Sequence, residues 1–432
     1  MDQAGGSRGK RWWIRRICAG IIGLHLSLLA YGAWVHSPTI DEVGHMAAGV
    51  SHWELGRFDL YRVNPPLVRL IAALPVSVVG YKMDWRGYSD AAGSRSEFYL
   101  GEKFAELNGG RSFRLFTLAR LGSMVFSILG AVVCLLWARD LFGDASGVMA
   151  LVLWCFSPMI LGHGQMITPD VGATALGLAA CYCFRRWLRA PDWYRAYLTG
   201  LVLGLAQLTK ATMVLFFPLF PLLWLLWVAL SSPKSQQVPL RRSAAQLALC
   251  LALALIVLNA GYGFEGTFQK LEDYRFVSES LVGQSQRPSN RFADTWLAEV
   301  PVPLPVNYVM GVDTQKRDFE QGIRSYLRGT WQPHGWWYYY LYGLLVKTPG
   351  GVLALAILAV AWATFCRSGR ATLRDELFLA IPPTLIFVLV SSQTGFNHHL
   401  RYVLPVYPFL FVSMLRRRKL ADRIKRPTDR II

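Results

Sequence analysis

Charge is what this sequence has least of. Of its 432 residues only 17% are Asp, Glu, Lys or Arg, against roughly 25% in a soluble domain. The runs 214–230 and 247–260 contain none. With 53% hydrophobic residues, such runs exclude an ordinary water-soluble domain and indicate a polytopic membrane protein. Acidic residues are scarcer than basic ones, 27 against 45, a formal charge of +18. That surplus would suit nucleic acid if it formed one patch. Here the basic residues stand in short tracts beside apolar runs, a pattern set by membrane topology, and no nucleic-acid partner is expected.

Cysteine is missing from the polar parts of the chain. Cys18, Cys134, Cys155, Cys181, Cys183, Cys250 and Cys366 all fall in or beside apolar runs. The two long polar segments, 36–114 and 264–336, have none. They must fold without disulfides, and they offer no cysteine spacing for a metal. Cys181 and Cys183 read as small packing residues. Several sequence signatures are absent as well: no Asp-x-Asp, no Gly-x-Gly-x-x-Gly, no P-loop and no His-Glu-x-x-His.

The apolar runs are predicted to make about ten spans, near 17–35, 115–137, 146–161, 171–187, 197–208, 212–230, 244–264, 350–366, 377–392 and 400–415. The first follows a basic tract and reads as an uncleaved span with a cytoplasmic N-terminus. Alternate connections then hold Arg139; Arg185, Arg186, Arg189 and Arg195; Lys234, Arg241 and Arg242; Arg367, Arg370 and Arg374; and Arg416, Arg417, Arg418 and Lys419. This distribution obeys the positive-inside rule and puts both termini in the cytoplasm. A single helix over 197–230 would reverse everything after it, so the charges favour two short spans with a turn near Lys210. The aromatic stretch 335–347, GWWYYYLYGLLVK, is expected to lie along the outer interface. The fold class is thus an all-α integral membrane bundle. The whole chain, 1–432, forms one unit with extracytoplasmic loops at 36–114 and 264–336.

This topology collects ionisable residues at one surface. Asp41 and Glu42 follow the first span, Asp170 follows the third, Lys210 lies in the turn near 210, and His398, His399 and Arg401 precede the last span. Ionisable groups at the membrane boundary mark a pathway or a site. A carboxylate there can take a proton from a hydroxyl. Lys and Arg can hold a phosphate, Arg as a bidentate fork.

The order of these residues resembles the GT-C superfamily of membrane glycosyltransferases, including the protein O-mannosyltransferases and lipid A aminoarabinose transferases. Asp41-Glu42 is similar to the family's acidic pair after its first helix. Asn64-Pro65-Pro66-Leu67 resembles its His- or Lys-Pro-Pro-Leu, with Asn as a departure. Thr168-Pro169-Asp170, Leu208-Thr209-Lys210 and 400–408, LRYVLPVYP, resemble its later motifs. The resemblance implies transfer of a hexose or pentose from a polyprenyl-phosphate carrier to an unknown protein, lipid or glycan acceptor on the non-cytoplasmic side. It implies catalytic roles for Asp41, Glu42 and Asp170, with Asp41 the base. Lys210, Arg401, His45, His398 and His399 would bind donor or acceptor. No cofactor is firmly implied; the acidic pair and the histidines leave a divalent metal open. The absent motifs above fit a lipid-linked donor better than a nucleotide sugar. A bacterial cytoplasmic membrane is the expected location, among its lipids.

Each of these residues also has a plainer reading. Asp41, Glu42 and Asp170 could cap helices. Lys210 and Arg401 could snorkel to headgroups. Pro65 and Pro66 suit a helix start. Trp336, Trp337 and the tyrosines after them suit an aromatic belt. A transporter or lipid flippase is the alternative function, although its charges would stand nearer the midplane in paired broken helices. A membrane scaffold leaves the acidic pair without a role.

Overall fold

The computed structural model describes residues 3–231, 238–283, 289–365 and 370–414. Lys234, Cys366, Arg367 and residues 416–419, used above for topology, lie outside them. The described chain is mostly helical. In order it forms α1 (Gln3–Val35), α2 (Ile40–Glu54), α3 (Leu67–Val79), α4 (Glu97–Asn108), α5 (Ser112–Phe142), α6 (Asp144–Phe156), α7 (Pro158–Gly164), α8 (Pro169–Arg189), α9 (Trp193–Gln207), α10 (Phe216–Ala229) and α11 (Leu240–Ala260). There follow α12 (Glu279–Val282), α13 (Val306–Gln321), β1 (Ser325–Leu327), β2 (Thr330–Gln332), α14 (Tyr339–Lys347), α15 (Gly350–Phe365), α16 (Arg370–Ser392) and α17 (Tyr407–Ser413).

Four helical stretches are long and apolar enough to cross a membrane: Trp12–Val35, Glu97–Phe142, Ala211–Ala229 and Leu240–Ala260. Two bent pairs, α6 with α7 and α14 with α15, raise the number to six if each is one span. The remaining expected spans rest on shorter or more polar helices. α9 has 15 residues, and α8 carries Arg185, Arg186 and Arg189 in its last turns.

Three expectations change. The span expected at 146–161 is two helices bent by 56°. Pro158 cannot donate to the previous turn and holds Ser157 extended, with ψ at 124°. The span expected at 400–415 begins as a 3-10 turn, Leu400–Val406, and becomes α-helical only at Tyr407; Pro405 and Pro408 each remove a backbone donor. The all-α reading also misses an antiparallel hairpin, β1 with β2, pairing Tyr326 with Trp331. The break near Lys210 is present: α9 ends at Gln207, and a 3-10 turn, Ala211–Leu215, leads into α10.

α8 lies at the centre, against α5, α9 and the turn at 400–406. Its small residues allow this. Ala173, Ala175, Ala180 and Cys181 are fully buried, and a Cβ on Gly177 would meet Met213 and Phe216 at 3.1 and 3.3 Å. α9 and α11 pack through Gly200 and Gly204, where added Cβ atoms would come within 2.6 Å of the Cys250 carbonyl and 2.5 Å of Val257. Small residues one turn apart let two backbones approach in this way.

In the first polar segment, α2, α3 and α4 pack on one another and on α5. The backbone N–H of Leu67 donates to the carbonyl of Leu208 at 2.9 Å. That bond ties the start of α3, after the two prolines, to the turn that carries Lys210.

Candidate active site

Four charged side chains from four separate places form a chain of ion pairs. The Lys210 ammonium donates to Asp170 Oδ1 at 2.7 Å. Asp170 Oδ2 lies 3.5 Å from Arg401 Nε. Arg401 Nη2 donates to Asp41 Oδ2 at 2.7 Å, across 360 residues of sequence. Asp41 comes from the first turn of α2 and Asp170 from the first turn of α8. Lys210 stands just before one 3-10 turn, Ala211–Leu215, and Arg401 within another, Leu400–Val406. The 3.5 Å contact is close enough for charge but not aligned for a hydrogen bond. Arg401 Nε therefore has no protein acceptor, and neither His45 Nδ1 nor His163 Nδ1 has a protein partner. Buried polar atoms without partners are rare, and three of them surround this cluster.

Exposure separates the two carboxylates. The Asp170 side chain is 2% exposed, that of Asp41 22%. Tyr402 floors the group, with the Lys210 ammonium 4.8 Å and the Arg401 guanidinium 5.8 Å from its ring centre, distances suited to cation–π attraction. His45 is buried one turn after Asp41, its ring 4.6 Å from that of Tyr61. Burial, then the nearby Arg69, pulls its pKa down to about 3 against the opposing pull of Asp41, so it is neutral at pH 7. His399 is lowered to about 4 by burial and then by Arg401. His398 faces outward and bonds through Nε2 to the Arg324 carbonyl at 2.9 Å.

Glu42 is not in this cluster. It is fully buried and forms a fork with Arg120, Nε to Oε1 and Nη2 to Oε2, both 2.7 Å. It also accepts from the Thr39 backbone N–H at 2.9 Å and hydroxyl at 3.1 Å. Arg120 in turn donates to the carbonyls of Ala33, His36 and Ser37. The two neighbouring acids are thus divided. Glu42 closes the start of α2 and locks it to the end of α1, whereas Asp41 and Asp170 give their carboxylates to cations rather than to helix caps.

The structure brings together Asp41, Asp170, Lys210 and Arg401, with His45 and His399 beside them, and sets Glu42 and His398 apart. Arg120, Tyr402, Tyr61 and His163 were not singled out from the sequence. Tyr402 had one signal, adjacency to Arg401. The others had none, because their partners are fixed by packing. Among the described residues no three His, Cys, Asp or Glu side chains stand together as a metal-ligand set.

A sequence-family model described as dolichyl-phosphate-mannose-protein mannosyltransferase matches residues 99–262. No curated protein matches by sequence. Among solved structures, ArnT from Cupriavidus metallidurans in the apo state is similar over 94% of this chain, with 15% identity and a TM-score of 0.54. The same protein bound to undecaprenyl phosphate is similar over 92%, with 16% identity and a TM-score of 0.56. In both comparisons this chain spans 59% of the length of the solved structure. The fold implied by the motifs is therefore the one observed: the chain folds like these two ArnT structures, and its middle part, 99–262, matches the mannosyltransferase family model.

Proposed function

We propose that this protein transfers a sugar from a polyprenyl-phosphate carrier to an acceptor hydroxyl on the non-cytoplasmic face of a bacterial cytoplasmic membrane. The observation that carries this reading is the chain Lys210–Asp170–Arg401–Asp41, which puts two fixed cations beside one solvent-reaching carboxylate. Its likeness to ArnT bound to undecaprenyl phosphate supports a lipid-phosphate donor. The family model described by mannosyl transfer supports a sugar as the group moved.

Asp41 takes the proton of the acceptor hydroxyl, and the freed oxygen forms a bond to the anomeric carbon. The bond from that carbon to the phosphate oxygen breaks, and its electron pair leaves with the carrier phosphate. Direct displacement inverts the anomeric centre. Arg401 and Lys210 meet the charge that grows on the phosphate, which is where fixed donors lower a barrier most. Arg401 holds Asp41 while the site is without donor; its Nε offers a further N–H to a phosphate oxygen. Asp170 keeps both cations aimed. The neutral His45 and His399 orient the acceptor. The ten-span topology, with α8, α9, α16 and α17 completing the crossings and both termini cytoplasmic, belongs to the same proposal.

The test is single-turnover release of radiolabelled sugar from a panel of polyprenyl-phosphate donors, with wild type and Asp41→Asn compared in nanodiscs. Release by wild type and a 10²–10⁴-fold slower step in the variant are expected, the usual contribution of a general base. Equal rates would remove Asp41 from the chemistry. No release with any donor would favour the transporter reading.

A further inference from the structure

We infer that Lys347, at the end of α14, is a third cation for the donor's phosphate, and that α14 lies in the membrane plane to present it there. The inference rests on the lipid-phosphate reading above and adds a residue that neither the motifs nor the ion-pair chain contains.

Charge balance leads to it. Lys210 and Arg401 are matched by Asp170 and Asp41, and Arg120 is matched by Glu42. A sugar phosphodiester brings one negative charge, and loss of the sugar leaves a phosphate monoester that can carry two. These pairs are balanced, and Arg69, the buried cation near His45, is committed to His52 and the Tyr61 carbonyl; a balanced set takes up that charge poorly in a low-dielectric setting. Lys347 is exposed and makes no ion pair with a described residue. Its charge reaches His163, which also feels Asp170, Arg401 and Lys210.

Geometry places it. α14 meets α15 at 114°, so when α15 crosses the bilayer α14 lies across its surface. Leu341, Leu345 and Val346 form one exposed apolar face, suited to the acyl boundary. The opposite face is fixed to the element that carries Arg401. Tyr340 is buried with its ring 6.5 Å from that of Tyr402. A Cβ on Gly343 would stand 2.9 Å from Leu400, and the Thr348 and Tyr407 hydroxyls are 3.1 Å apart. Lys347 is thus held at the headgroup level on a helix docked to the site, where a lipid phosphate entering from the bilayer would meet it first. A lysine in a last helical turn also favours the helix dipole, but that role would not depend on a phosphate ligand.

The test is binding of radiolabelled polyprenyl monophosphate to the full chain in a phosphate-free maltoside detergent. Lys347→Ala is expected to bind at least about 10-fold more weakly, the value of one charge-assisted contact. Lys347→Arg should stay within about threefold of wild type, and binding of the uncharged polyprenol should not change. In transfer assays kcat/KM should fall with Lys347→Ala and return with Lys347→Arg. Unaltered monophosphate binding by Lys347→Ala would overturn the assignment and leave the proposed reaction standing. So would loss of retained anionic phospholipid alone, which would make Lys347 a headgroup anchor. Wild type that bound no polyprenyl monophosphate would overturn the donor reading and this one together.

Discussion

Replacing Glu42 by Gln should damage the fold rather than the chemistry, although Glu42 adjoins the proposed base. The carboxylate makes two 2.7 Å bonds to Arg120 and accepts from Thr39 and, at 3.3 Å, from the Ile167 N–H. A glutamine keeps the shape, but its amide nitrogen cannot accept from Arg120 or Thr39. Arg120, whose side chain is 3% exposed, is left as a buried charge without a counterion. Breaking such a pair costs about 3–5 kcal/mol, a large share of the roughly 5–15 kcal/mol that holds a domain together. The assay is the midpoint of thermal unfolding in detergent, followed by size-exclusion chromatography, for wild type, Glu42→Gln, Arg120→Gln and the double variant. Both single variants should drop the midpoint sharply. The double variant should lose less than their sum, because its buried charge is gone. At a temperature where Glu42→Gln is folded, its transfer rate should stay within a fewfold of wild type. A normally stable Glu42→Gln protein with abolished transfer would refute the division of labour between the two acids.

Asp41→Asn should leave the unfolding midpoint nearly unchanged, since Arg401 keeps Asp170 as a counterion at 3.5 Å and the asparagine amide oxygen can still accept from its guanidinium; the same thermal assay checks this. Acid should destabilise the protein. The folded-state pKa values of His45 and His399 lie near 3 and 4, and that of His52 is well below its ordinary value through burial and then Arg69. The unfolded chain therefore binds more protons, and stability present above about pH 6.5 is lost as pH falls toward 4. His45→Asn should flatten this slope in denaturation measured at stepped pH, and an unchanged slope would exclude His45 as a contributor. Gly204→Val should separate α9 from α11, lowering the yield of monodisperse protein, because the new side chain would meet Val257 and the Ala254 carbonyl. Arg401→Lys keeps the charge but loses the fork, so it should weaken polyprenyl-monophosphate binding about tenfold, measured as for Lys347.

The sequence by itself determined what composition and order can encode. Too few charges for a wet surface and uninterrupted apolar runs made a helical membrane protein the physical solution. Asp41, Asp170, Lys210 and Arg401 stand at the ends of apolar runs, so the sequence led one to expect them at one surface, and the ion pairs of the structure bring them together. The break at Lys210 was legible too, because one long helix would have broken the expected rule that basic connections share one side, at Arg241 and Arg242. Other features were decided only in three dimensions. Two adjacent carboxylates look alike in a sequence; which one closes the helix and which reaches the site depends on Arg120, 78 residues away, meeting Glu42. The bend at Pro158 and the 3-10 turn at 400–406 depend on local backbone donors that hydropathy does not weigh. The pairing of Arg401 with Asp41 across 360 residues, the ring of Tyr402 beneath Lys210 and the docking of α14 on the turn at 400–406 are set by packing between elements far apart in sequence, the small residues of α8 letting that turn close against it.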